Sequence, residues 1–166
     1  MTANANTRTG HSLFQPHRLL AGSVLWGAAM ALSLYGGLEL SIERLTANRN
    51  ALISLYFAGG LIAFAPAVRT ARLIAGKRPP EARFSAAFLC LGIATIAVTA
   101  GLYAVIYRLF FAQWVGEFPS TFWAYQFAFT FATGLYQFAV IGLRNYFPLG
   151  PLVLVAASLW LAKSMR

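Results

Sequence analysis

Four uncharged apolar runs divide the chain: Leu19–Leu38, Asn50–Val68, Phe84–Tyr107 and Phe122–Leu143. Each stops at a charge, at Glu39, Arg69, Arg108 and Arg144 in turn. A membrane-crossing helix needs about 20 apolar residues, so each run predicts one span. The stretch after Arg144 is different. Pro148, Gly150 and Pro151 interrupt it, and the continuous apolar piece is only Leu152–Ala162. Such a helix rises about 16 Å, roughly half the hydrocarbon thickness. It is expected to lie at the interface or against the bundle, with Trp160, Lys163 and Arg166 near headgroups.

The only clear linker is Gly76–Glu81, GKRPPE, whose two prolines end one helix and delay the next. The predicted organisation is a tail over residues 1–18, a first hairpin over 19–75 and a linker over 76–82. A second hairpin over 83–147 and a short hydrophobic segment over 148–166 complete it. A shift of 65 residues lays Arg18 on Arg83, Gly27 on Gly92 and Gly36 on Gly101. A shift of 75 lays Gly59 on Gly134 and Arg69 on Arg144. The expected fold is all-α: an integral membrane four-helix bundle of two tandem hairpins, a parallel pseudo-repeat, plus a short C-terminal interfacial helix. Small residues at a spacing of four mark close helix contacts: Gly59, Ala63, Ala67 and Ala71 in the second run, and Ala124, Ala128 and Ala132 in the fourth. Pro66 predicts a kink in the second.

Composition agrees with this pattern. Of 166 residues 59% are hydrophobic and only 10% are charged, against about 25% charged in soluble domains. The net charge of +9 sits at the ends of apolar runs, so it reads as topology rather than nucleic-acid binding. Ten basic residues fall on one side (Arg8, Arg18, Arg69, Arg72, Lys77, Arg78, Arg83, Arg144, Lys163, Arg166) and three on the other (Arg44, Arg49, Arg108). That bias predicts an inner-membrane protein with both termini cytoplasmic. Glu39, Glu43 and Glu117 fall outside, and Trp114 and Trp123 bracket the second outer loop. The first apolar run is too long for a cleavable leader and reads as an anchor.

Candidate chemistry is sparse. Cys90 is the sole cysteine, His11 and His17 lie in the tail, and no Asp occurs. No metal, haem or other cofactor is expected. Ser23, Ser33, Ser54, Thr95 and Thr99 have no base beside them, so no catalytic residue is assigned and the protein is not expected to be an enzyme. Gln126, Thr130, Thr133 and Gln137 form one polar stripe at helical spacing. They serve either as interhelical hydrogen bonds or as a groove for a lipid-linked headgroup. Arg69, Arg72 and Arg144 stand where helices leave the hydrocarbon. Their guanidinium groups suit either ordinary anionic lipids or a specific lipid phosphate.

The layout resembles the GtrA-like family of small membrane proteins, built from two helical hairpins. The basic entries are Arg18-Leu19-Leu20 and Arg83-Phe84; the exits are Arg69…Arg72-Leu73 and Arg144-Asn145-Tyr146-Phe147. Ala132-Thr133-Gly134-Leu135-Tyr136-Gln137-Phe138 resembles the family's last helix. The resemblance covers about Arg18–Phe147. It implies a role with polyprenyl-phosphate-linked sugars in cell-surface glycan assembly, by translocating them or by anchoring a glycosyltransferase. A different class stays open: a non-catalytic accessory subunit of a larger membrane complex, bioenergetic or other. Expected partners are therefore membrane lipids, a polyprenyl-phosphate sugar, and a glycosyltransferase or larger complex, with no nucleic acid.

Overall fold

A computed structural model describes residues 16–40, 48–111 and 120–165. The N-terminal tail up to residue 15, Glu43, Arg44, Trp114, Glu117 and Arg166 lie outside the described residues. The described chain is all-α. Five helices follow in order: α1 (Pro16–Leu40), α2 (Arg49–Ala75), α3 (Pro80–Phe111), α4 (Thr121–Val140) and α5 (Leu149–Ser164). A 3-10 turn, Gly142–Tyr146, joins the last two.

Local chemistry sets these bounds. Pro16 and Pro80 open α1 and α3 at the position where a missing N–H costs nothing. Ser120 caps α4, its hydroxyl accepting from the Trp123 N–H at 3.1 Å. The Gly76 N–H closes α2 on the Arg72 carbonyl, and Arg72 supplies a cation to that last turn. α2 runs on through Pro66 without a break.

Three helices, α1, α2 and α3, are long and apolar enough to cross a membrane, and α5 is a shorter apolar helix. This suggests an integral membrane protein. α4 has 20 residues, yet Gln126, Gln137, three threonines and two tyrosines lower its apolarity, and it does not join those three.

The long helices form the core. Gly59, Ala63, Ala67 and Ala71 are all buried, as their spacing predicts, and let α2 press closely on its neighbours. At Gly60 a β-carbon would stand 3.0 Å from the Gly27 Cα of α1. At Gly59 it would collide with the Thr99 hydroxyl of α3. In lipid, association rests on such backbone approach, because tails are as apolar as leucine. The second stripe behaves differently: Ala124, Ala128 and Ala132 are all exposed.

The two hairpins do not share a register. Gly60 meets Gly27, and carrying that pairing by 75 and 65 residues would set Leu135 against Gly92. Instead Gly134 lies on Ala104, where an added β-carbon would come within 2.8 Å of the Ala104 Cα. The offset is about eleven residues, or about 16 Å of helix. α4 therefore stands far higher on α3 than α2 stands on α1, and the predicted superposition of Arg69 on Arg144 fails in space.

Of the two placements expected for the last segment, the structure shows the one against the bundle. α5 lies lengthwise against α3 and antiparallel to it. Leu154 faces Gly92, while Leu159, Ala162 and Lys163 share a cleft with Pro80 and Phe84. α4 covers the upper part of α3 and α5 the lower part, so together they make one descent, interrupted at Gly142–Tyr146. An exit at Arg144 was expected because charge first appears there; the helix stops at Val140. Met165, just past α5, reaches the α2–α3 turn beside Arg69 and Arg72.

Candidate functional site

The interruption between α4 and α5 is held by side chains from three helices. The Tyr56 hydroxyl donates to the Gly142 carbonyl at 2.6 Å, and the Asn145 amide donates to the Tyr56 oxygen at 3.4 Å. The Ser33 hydroxyl donates to the Tyr146 carbonyl at 2.9 Å. The Tyr146 hydroxyl donates to Thr99 Oγ1 at 2.9 Å, and Thr99 passes its own proton to the Thr95 carbonyl at 2.7 Å. The Tyr56 and Tyr146 rings pack 4.9 Å apart. A helix that breaks inside a protein exposes carbonyls, which must find donors where water is excluded. Here Tyr56 and Ser33 supply them. Gly150 lets the chain return close to Tyr146 and Ser33: an added β-carbon would lie 3.1 and 3.2 Å from them.

The main concentration of charge is elsewhere. Arg69, Arg72, Lys77 and Arg78, with Met165, line an open groove of about 870 Å³ at the α2–α3 turn. Leu73 and Ile74 flank it, and both are exposed. A cationic floor beside exposed apolar side chains is chemically suited to the phosphate of a lipid.

Of the predicted phosphate residues, the structure brings Arg69 and Arg72 together and leaves Arg144 out. Arg144 belongs to the 3-10 turn whose next residue, Asn145, bonds Tyr56. Arg69 lies thirteen positions further along α2 than Tyr56, about 20 Å of helix. Lys77 and Arg78 take the place that the pairing had given to Arg144.

Two members of the predicted polar stripe, Thr130 and Gln137, serve helix contact. Thr130 Oγ1 accepts from the Arg108 guanidinium at 3.0 Å and donates to the Gln126 carbonyl at 2.7 Å. Gln137 Oε1 accepts from the Tyr103 hydroxyl at 3.4 Å. Thr133 is exposed and bonds its own helix at the Phe129 carbonyl. The Arg108 guanidinium also lies over the rings of Phe127 and Trp123, at 4.6 and 5.6 Å. Arg108 thus fastens α4 to α3 as well as marking a span end. At the same end, Arg49 pairs with Glu39 and covers the Tyr35 ring.

Sequence reasoning gave no role to Tyr56 and named Asn145 and Tyr146 only as part of a helix exit. Their partners lie 47 to 113 positions away for the Tyr146 contacts and 86 or 89 for those of Tyr56. The available signal was the crowding of Gly142, Asn145, Pro148 and Gly150, which marks a break within an otherwise apolar descent. No group of three or more potential metal-ligating side chains occurs among the described residues. Comparison of the chain with family models, curated proteins and solved structures finds no match.

Proposed function

We infer that the protein is a four-pass inner-membrane protein, its fourth pass divided between α4 and α5, with the α2–α3 turn and both termini on the cytoplasmic side. The positive-inside bias supports that orientation. Its proposed role is to hold polyprenyl-phosphate-linked sugars during cell-surface glycan assembly, carrying them or presenting them to a glycosyltransferase, without catalysis of its own. The single observation that carries this reading is the groove in which Arg69, Arg72, Lys77 and Arg78 meet the exposed Leu73 and Ile74. Guanidinium groups bind phosphate through paired hydrogen bonds, and the neighbouring apolar side chains suit a prenyl chain. The choice of carrier rests on the resemblance of the sequence to the GtrA-like family.

The test is binding of a polyprenyl monophosphate, and of the same polyprenol without phosphate, to protein in lipid nanodiscs. Phosphate-dependent binding that falls about ten- to a hundred-fold in Arg69→Gln or Arg72→Gln is expected, the equivalent of one charge-assisted hydrogen bond. Equal binding of phosphate and alcohol would remove the reading.

A second reading is favoured by α4. Phe122, Tyr125, Phe129 and Tyr136 are exposed on it together with the alanine stripe at 124, 128 and 132. A subunit of a larger membrane complex would use such a face to admit a partner helix. Stoichiometric foreign subunits retained through purification in mild detergent, and lost in Ala128→Leu, would select this reading.

A further inference from the structure

A second cavity, of about 260 Å³, lies between α1, α3 and the start of α5, walled by Trp26, Met30, Phe88, Thr95, Tyr146 and Leu154. It shares no lining residue with the basic groove. We propose that it is a binding site for a single hydrocarbon chain of a membrane lipid, an inference that goes beyond the phosphate reading and does not depend on it.

Three observations select that occupant. First, depth: Trp26 and Thr95 stand near the midpoints of α1 and α3, which the chain's apolarity places in hydrocarbon. Second, chemistry: each polar group on the wall is already partnered. The Trp26 indole N–H donates to Thr95 Oγ1 at 3.0 Å, Thr95 donates to the Leu91 carbonyl, and Tyr146 donates to Thr99. What remains for an occupant is an apolar surface without a donor. Third, size: the space holds about nine groups at about 30 Å³ each, one chain segment. A partner helix, about 10 Å across, does not fit.

The cavity opens sideways, at the depth of Thr95. Ile96, Leu143 and Phe147 are exposed at its rim. Below it a smaller cleft of about 170 Å³ runs between Pro80, Phe84 and Lys163. The Phe84 ring lines this cleft and the Phe88 ring the cavity, with centroids 6.0 Å apart. An empty cleft would forfeit dispersion contacts on its whole lining, and a lipid tail restores them.

Trp26 reports on occupancy directly. In full-length protein carrying Trp114→Phe, Trp123→Phe and Trp160→Phe, Trp26 is the sole fluorophore of its kind. Changing the surrounding phosphatidylcholine to a chain-brominated form should remove about half or more of its emission, since quenching needs atoms near contact. Gly92→Leu fills the cavity: a β-carbon there meets only Leu154 Cδ2, at 3.4 Å, so the rest of the side chain enters the space. It should restore most of the emission. Gly101→Leu, on the same helix with nothing within 4 Å, should not. No quenching in the parent protein, or equal quenching with and without Gly92→Leu, overturns the proposal. Should Gly92→Leu fail to fold, photolabelling of the unaltered protein by a lipid with a chain diazirine decides. Label on the buried Met30 supports the site; label confined to outward residues such as Leu25 and Leu89 overturns it. Arg69→Gln leaves the Trp26 result unchanged, which separates this site from the phosphate groove.

Discussion

The hydroxyl of Tyr56 in α2 donates to the carbonyl of Gly142 at 2.6 Å, fixing the level at which α4 ends. The bond is buried and joins helices that otherwise meet little, since α4 packs on α3. Tyr56→Phe keeps the ring against Tyr146 and Phe138 and removes the hydroxyl that donates to Gly142 and accepts from Asn145. The Gly142 carbonyl then loses its side-chain donor. Such a loss costs about 1–3 kcal/mol in general, and measured values inside membranes sit at the low end. Reversible unfolding in mixed detergent should show about 1 kcal/mol of destabilisation, and Ser33→Ala a similar loss. Unchanged stability in the double variant would mean that the break is held by ring packing alone.

Glycine substitutions should separate by location. Gly59→Ala sets a methyl into the Thr99 side chain and should cost about 1–3 kcal/mol through a forced α2–α3 separation. Gly101→Ala meets nothing and should gain up to about 1 kcal/mol from helix propensity. Thermal denaturation of the purified variants should rank Gly101→Ala above the parent and Gly59→Ala well below it. The reverse order would show that the α2–α3 contact is looser than described.

The three long helices and the α2–α3 turn were legible because uninterrupted apolarity and the paired prolines at 79 and 80 state them locally. α4 and α5 were not. The apolar run continues through Gly142 and Leu143 to Arg144, so hydrophobicity gave no sign that the backbone turns earlier. Arg69 and Arg72 were recognised from charge at a helix exit. The roles of Tyr56 and Tyr146 depend on partners in distant helices, which one-dimensional pattern cannot place.

Arg144 provides a direct contrast to Arg69. Both end an apolar run, but only Arg69 lines the groove with Lys77 and Arg78. Polyprenyl phosphate binding should fall about ten-fold or more in Arg69→Gln and stay within about two-fold of the parent in Arg144→Gln. Equal losses would return Arg144 to the phosphate site and contradict its distance from Arg69.

Topology is testable with single cysteines in a Cys90→Ala background. An impermeant maleimide added outside intact cells should label Thr121→Cys and spare Lys77→Cys and Lys163→Cys. Labelling at Lys77 would reverse the orientation. Labelling at Lys163 alone would mean that α5 does not descend beside α3.

The break between α4 and α5 also has a meaning for biosynthesis. α1, α2 and α3 are each long and apolar enough to enter a bilayer as they leave the ribosome, ahead of the segments that complete the bundle. At that moment the Ser33 hydroxyl and the Tyr56 phenol lack their carbonyl partners, which belong to residues 142 and 146 and are translated later. In order of synthesis α4, the 3-10 turn and α5 are the last described elements to meet α1, α2 and α3. Until they do, the Ser33 and Tyr56 hydroxyls form a polar seam whose acceptors have yet to arrive.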